Sequence, residues 1–274
     1  NHVSYACIMV LYIPFCWYAL NWYKKFSWRW WTIAFGIIVL IVGIQFSYTR
    51  AAYVALIGAI GSTFIVQFKL VKPTLAIVTA LAISFVVFMW NNNEYLHYNP
   101  DFDRTITHSN FNNLLEATIK GQDVSTMERF YRWIAGGHMV GERPVFGYGP
   151  GNFPNYYRQY TVNSFETYIS DNEENSGIHN YYLTILVEQG FPGLIFFMIF
   201  IFSSLIIGER VYHQTNDPFY QNIVMTAILV IIIVLMLQLM NDLIETDKVG
   251  SFFFMVLSMI VLVDLRNRLL KESE

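Results

Sequence analysis

Charge is scarce in this sequence. Only 14% of its 274 residues are Asp, Glu, Lys or Arg, against roughly a quarter in ordinary soluble domains, which excludes a water-exposed globular body. The Lys and Arg are scattered through connecting segments and the formal net charge is -3. No basic stripe suits a nucleic-acid backbone, and no nucleic-acid partner is expected. Cysteine is almost absent. Cys7 and Cys16 lie in one apolar run, where a helix rising 1.5 Å per residue would separate them by about 13 Å, too far for a disulfide. They read as small apolar residues. The chain opens at Asn1 without a basic n-region or a small-residue cleavage site, so the opening does not read as a signal peptide. It reads as the interior of a longer protein; whether an N-terminal half with further spans precedes it is left open by the sequence. Metal-ligand spacing is missing as well. His97, His108, His138 and His179 are far apart with no H-x-x-x-H pair, leaving only carboxylates such as Asp101 and Asp103 as other ligands. No metal and no cofactor is expected.

Long apolar runs are abundant: 55% of the residues are apolar and 18% aromatic. A hydrocarbon layer about 30 Å thick takes roughly 20 apolar residues per helix, and about seven runs qualify. They cover approximately residues 2–20, 30–48, 51–68, 73–90, 191–207, 219–240 and 250–265. The fold class expected is an all-α polytopic membrane protein. Lys24, Lys25 and Arg29, then Lys69 and Lys72, then Arg210, then Arg266, Arg268 and Lys271 all fall on one side of such a topology. The positive-inside rule makes that side the cytoplasm; Lys248 is the one basic residue of a short loop against it. Residues 1–90 then form a membrane region of about four spans, and 91–177 an extracytoplasmic loop. Residues 178–274 form an interfacial helix and about three spans with a cytoplasmic C-terminus. Trp28, Trp30, Trp31 and Trp90 fall at span ends, where indole rings anchor to the interface; for Trp90 carbohydrate stacking is the alternative.

Within the loop, Asn91-Asn-Asn-Glu94 and Asn99-Pro-Asp101 are turn signals. Helices are expected over Phe111–Lys120 and Met127–Val140. Ser125-Thr-Met-Glu128 has the capping-box pattern that starts the second near Ser125, and Pro144 ends it. Gly147, Pro150 and the glycines at 149 and 151 make a tight turn. It is no nucleotide loop, because no strand precedes it and the spacing is not G-x-G-x-x-G. His179 to Gln189 reads as an interfacial helix, broken by Gly190-Phe-Pro-Gly193 before the apolar Leu194–Ile207.

Three arginines stand out. Arg50 is the lone charge between Arg29 and Lys69; ionisable residues in such a setting are functional or paired, or it is an arginine snorkelling to the outer interface. Arg129 and Arg132 are three apart, so they share a helix face with Arg143 just beyond. Guanidinium pairs suit phosphate groups; a plain salt-bridged helix is the other reading.

Four motifs, in order, carry a family resemblance. They are Phe46-Ser-Tyr-Thr-Arg-Ala-Ala-Tyr-Val-Ala-Leu56, Arg129-Phe-Tyr-Arg-Trp133, Arg143-Pro-Val-Phe-Gly-Tyr-Gly-Pro-Gly-Asn-Phe153, and His179-Asn-Tyr-Tyr-Leu with Glu188-Gln-Gly190 and Gly193-Leu194. Together they resemble the O-antigen ligase and polymerase family over roughly residues 1–210; Thr49 stands where serine is commoner before the arginine. The resemblance implies a GT-C-like helical bundle in the bacterial inner membrane, with its active site facing the periplasm. The implied enzyme is a metal-independent, inverting glycosyltransferase whose donor is a glycan on undecaprenyl diphosphate and whose acceptor is lipid A-core or another glycan. Ligase and polymerase both fit, and a transporter or flippase and a scaffolding protein are the rival classes. In this reading Arg50, Arg129 and Arg132 bind the donor diphosphate within the membrane lipids' outer interface. His179 is the catalytic base, with Asp171, Glu173 and Glu174 as substitutes should it be a helix cap or a phosphate ligand.

Overall fold

The computed structural model describes residues 2–98, 123–167, 170 and 176–273. Its helices are α1 (His2–Ala19), α2 (Trp28–Ser47), α3 (Arg50–Gln67), α4 (Val71–Trp90), α5 (Val124–Glu142), α6 (Phe153–Tyr156), α7 (Tyr181–Gln214), α8 (Pro218–Leu237) and α9 (Asp247–Ser273). Among the described residues there is no strand, and seven helices are long and apolar enough to cross a membrane. The chain is an all-α polytopic membrane protein. The seven cover the apolar runs of the sequence, although the fifth, Tyr181–Gln214, and the last, Asp247–Glu272, extend past theirs on both sides. The expected helix over residues 111–120, the turn at 99–101, and Asp101, Asp103 and His108 lie outside the described residues.

The chain divides into two compact units, one made of residues 1–75 and 199–274 and the other of residues 76–198. The first unit is built around α8, which packs against α1, α3 and α9. Residues Val224 to Val230 of α8 are buried without interruption, as expected of a helix that is apolar all round. Asp217 caps it by accepting from the Phe219 backbone N–H (2.9 Å), with Pro218 in the first turn, where the missing N–H costs nothing. Cys7 is buried and Cys16 half-buried, both as free thiols. Trp28 and Trp31 project outward at the start of α2, the placement an interfacial anchor requires.

The second unit is organised by α5 and its apolar face. Tyr131, Ile134, Ala135 and Met139 pack with Tyr148, Phe153, Tyr157, Phe165, Ile178 and Val187. Asn91–Tyr98 forms a 3₁₀ run rather than the simple turn its asparagines suggest. Its Tyr95 stacks on Trp90 at 5.2 Å, so the Trp90 ring is partly committed to internal packing. The glycine turn is tight as expected, and its tightness has a purpose. Gly147 takes φ +63°, and a Cβ there would come within 2.5 Å of the Val187 carbonyl oxygen. Tyr148 and Gly149 donate backbone hydrogen bonds to Val187 and Glu188 (both 2.9 Å). The turn is thereby fastened to the end of the first half of α7, where Gly190 (φ 68°, ψ -170°) breaks the helix as its sequence predicts.

Candidate active site

The first turn of α5 departs from its sequence pattern. Asp123 is the N-cap, and its carboxylate accepts from the Thr126 backbone N–H (3.0 Å) and from the Thr126 hydroxyl. The capping box expected at Ser125 and Glu128 is not used. Asp123 caps two residues earlier, which starts the helix at Val124 and turns Glu128 inward. Glu128 is buried. Its Oε1 accepts from the Thr167 and Ser170 hydroxyls, and its Oε2 lies 3.4 Å from Arg132 Nη2. A carboxylate out of water needs such partners, since an uncompensated buried charge is costly.

Arg132 and Trp133 then fasten a distant piece of chain to α5. Arg132 Nη1 lies 3.5 Å from the Gly177 carbonyl oxygen, and Trp133 Nε1 donates to the Ile178 carbonyl (3.1 Å). Ile178 is fully buried, and two adjacent side chains of α5 hold the backbone at 177–178. The next residue, His179, sits at φ +60°. A non-glycine residue in that region is strained and persists only where its surroundings over-determine it, commonly at a functional site. The helix that follows is capped by Asn180, whose Oδ1 accepts from the Leu183 N–H (3.1 Å).

Arg129 is half-buried on the same side of α5 as Arg132, with its Nη1 donating to the Ser125 hydroxyl (3.0 Å). Both guanidiniums act on His179. Burial first, then Arg132 and Arg129, hold the imidazole down at about pKa 4. Near neutral pH it is an uncharged proton acceptor beside two cations. His138 makes a useful contrast: its Nδ1 bonds the Tyr160 carbonyl (3.1 Å) and its Nε2 the Tyr95 hydroxyl (3.3 Å), and burial lowers its pKa. That histidine ties the core of the unit together.

The structure thus brings Arg129, Arg132 and His179 together. Arg143 instead lies over the Tyr148 ring (4.7 Å). Arg50 belongs to the other unit, half-buried as the first residue of α3 after the N-cap Thr49. A cation there opposes the helix dipole, whose positive end favours an anion. Asp171, Glu173 and Glu174 lie outside the described residues. Glu128, Trp133, Thr167 and Ser170 were missed as parts of the site. Only the Glu128–Arg132 spacing of four, a helical ion-pair signature, was visible beforehand.

The chain is a polytopic helical membrane protein in which two guanidiniums and a strained histidine share one cluster, a set of groups suited to an anion. The family model described as O-antigen ligase matches residues 35–198, more than half of the chain and the whole of this cluster. The protein belongs to the O-antigen ligase family, whose members are of ligase or polymerase type, acting on a lipid-linked glycan in the membrane. Comparison with curated proteins gives no match.

Proposed function

We propose that the protein transfers a glycan from undecaprenyl diphosphate to an acceptor sugar, on lipid A-core or another glycan, at the outer face of the bacterial inner membrane. The observation that carries this reading is His179 held in a strained conformation beside Arg129 and Arg132. Arg129 and Arg132 bind the diphosphate through charge-assisted hydrogen bonds, and Arg50 is proposed for the same role from its sequence motif. His179 accepts the proton of the acceptor hydroxyl as its oxygen attacks the anomeric carbon. The bond from that carbon to the diphosphate oxygen breaks, the electron pair leaves with undecaprenyl diphosphate, and the anomeric configuration inverts. The leaving group is already anionic, so the two arginines serve it without a general acid, and no metal enters the sequence of steps.

Donor binding and base strength are coupled in this scheme. An imidazole near pKa 4 is a weak base, because proton transfer is most effective when the catalytic pKa lies near the working pH. A diphosphate on Arg129 and Arg132 offsets their part of the depression and leaves only the part due to burial. His179 becomes more basic once the donor is seated. The acid limb of kcat/KM for the donor, which reports the free enzyme, should lie near pH 4. The limb of kcat, which reports the complex, should lie higher. Coincident limbs, or one near 6.5 in the free enzyme, would remove this coupling.

Reconstitution in proteoliposomes with undecaprenyl-diphosphate-linked glycan and a glycan acceptor tests the function itself. Transfer to the acceptor with release of undecaprenyl diphosphate is expected; movement of the intact donor across the bilayer without transfer would contradict it. A cysteine placed at the exposed Gln159, with Cys7 and Cys16 replaced, should react with an impermeant reagent from the periplasmic side of intact cells. Reaction only after permeabilisation would put the cluster on the wrong face for this donor.

A further inference from the structure

The connection from α3 to α4 in the first unit is built in an unusual way for its sequence. Lys69 donates its backbone N–H to Val66 (3.2 Å) and Leu70 to Ile65 (2.8 Å), the paired bonds of a Schellman helix end, with Lys69 in the left-handed position at φ +58°. Glycine is favoured there. The lysine therefore occupies a strained position that a smaller residue would fill more easily. The backbone N–H of Val71, the first of α4, donates to Glu209 Oε1 of α7 (3.0 Å). The buried Glu209 carboxylate thus caps α4 at its positive end. On α7, His213 Nε2 bonds the Val66 carbonyl (2.8 Å), so α7 holds both sides of the corner.

Between these elements lies a cavity of about 490 Å³ lined by Lys69, Lys72, Glu209, Arg210 and His213, among others. Its one carboxylate is engaged by the backbone of α4. Asp264 approaches Arg210 at 3.6 Å but is held more closely by Arg268 at 2.7 Å. The cavity keeps a surplus of positive charge, and it opens where three helices of membrane-spanning length begin, end or continue beyond their apolar stretch. Basic pockets between spans at that level suit phosphodiester headgroups, whose acyl chains stay in the surrounding leaflet. We infer that the cavity between the α3–α4 corner and α7 is a binding site for the headgroup of an anionic membrane phospholipid. The site is independent of the transferase reading and lies in the other unit from His179.

The full chain, purified in neutral phosphatidylcholine nanodiscs, is titrated with phosphatidylglycerol and, in a separate arm at matched ionic strength, with inorganic phosphate. Thermal unfolding is the readout. Phosphatidylglycerol is expected to raise the unfolding midpoint and phosphate to leave it unchanged. Lys72→Gln and Lys69→Gly should each weaken the phosphatidylglycerol response about fivefold, the loss expected of one cation near an anionic lipid surface. Lys69→Gly also guards against misfolding as an explanation: glycine fits the left-handed turn, so in neutral lipid its midpoint should equal or exceed that of the unsubstituted protein. An undiminished phosphatidylglycerol response in both variants would overturn the site. A full response to phosphate alone, lost in the variants, would overturn the lipid as its occupant.

Discussion

Hydroxyl groups behave differently in the two units. In the first unit they bond backward along their own helices: Ser62 to the Gly58 carbonyl (2.7 Å), Thr215 to Val211 (2.6 Å) and Thr226 to Asn222 (2.8 Å). In the second, Thr167 and Ser170 donate to Glu128, 39 and 42 residues away. Trp133 and Arg132 likewise reach 45 residues along the chain. In a helix of membrane-spanning length, a hydroxyl bonded to its own backbone leaves no polar group facing hydrocarbon unsatisfied. In the second unit such groups serve as tertiary ties, and those from Arg132 and Trp133 hold the backbone ahead of His179. The hydroxyls of the first unit that bond only to their own helix should tolerate change, while the two that donate to Glu128 should not.

The largest stability effect is expected at Glu128. Glu128→Ala removes the carboxylate from a buried arginine and from two hydroxyls, and breaking a buried pair in this way costs about 3–5 kcal/mol. Thermal unfolding in detergent should show the second unit lost well before the first. A variant that unfolds like the parent would mean that the network carries no weight. Next come the arginines. Arg129→Lys and Arg50→Lys should each lower transfer by roughly 10- to 150-fold, from hydrogen bonds worth about 1.5–3 kcal/mol that a point charge does not replace. Near-normal transfer in both would make them interface anchors only. The smallest effects form a matched pair. Ser170→Ala leaves Glu128 short of a donor and should cost about 1–3 kcal/mol, whereas Ser62→Ala should fall within about 0.5 kcal/mol of neutral. Equal losses would erase the distinction between the units.

The spans were legible because a bilayer demands a run of about 20 apolar residues, a signal that is local and long. The breaks at Pro144 and Gly190 were legible for the same reason, each acting on its own stretch of backbone. The cap of α5 was misread because two candidate N-caps stand two residues apart, and Asp123 takes the role that the Ser125 pattern suggested. With that shift, Glu128 ceases to be a capping residue. Arg132 is four residues on, but its two hydroxyl partners are 39 and 42 residues away, beyond any spacing rule. The strain at His179 was equally hidden, because it accompanies tertiary bonds that α5 makes to the two residues before it. The pairing of Arg129 with Arg132 was visible in their spacing, but the effect of both on His179 required the tertiary fold.

The central claim is that His179 accepts the proton of the attacking hydroxyl while the arginines hold the donor. Single-turnover transfer by His179→Ala, measured alongside the donor affinity of the same variant, tests it directly. A placed base contributes about 10²–10⁴-fold, so transfer should slow by roughly that factor with donor affinity little changed. A variant that binds donor poorly yet transfers the bound fraction at the normal rate would make His179 a ligand of the diphosphate and contradict the account.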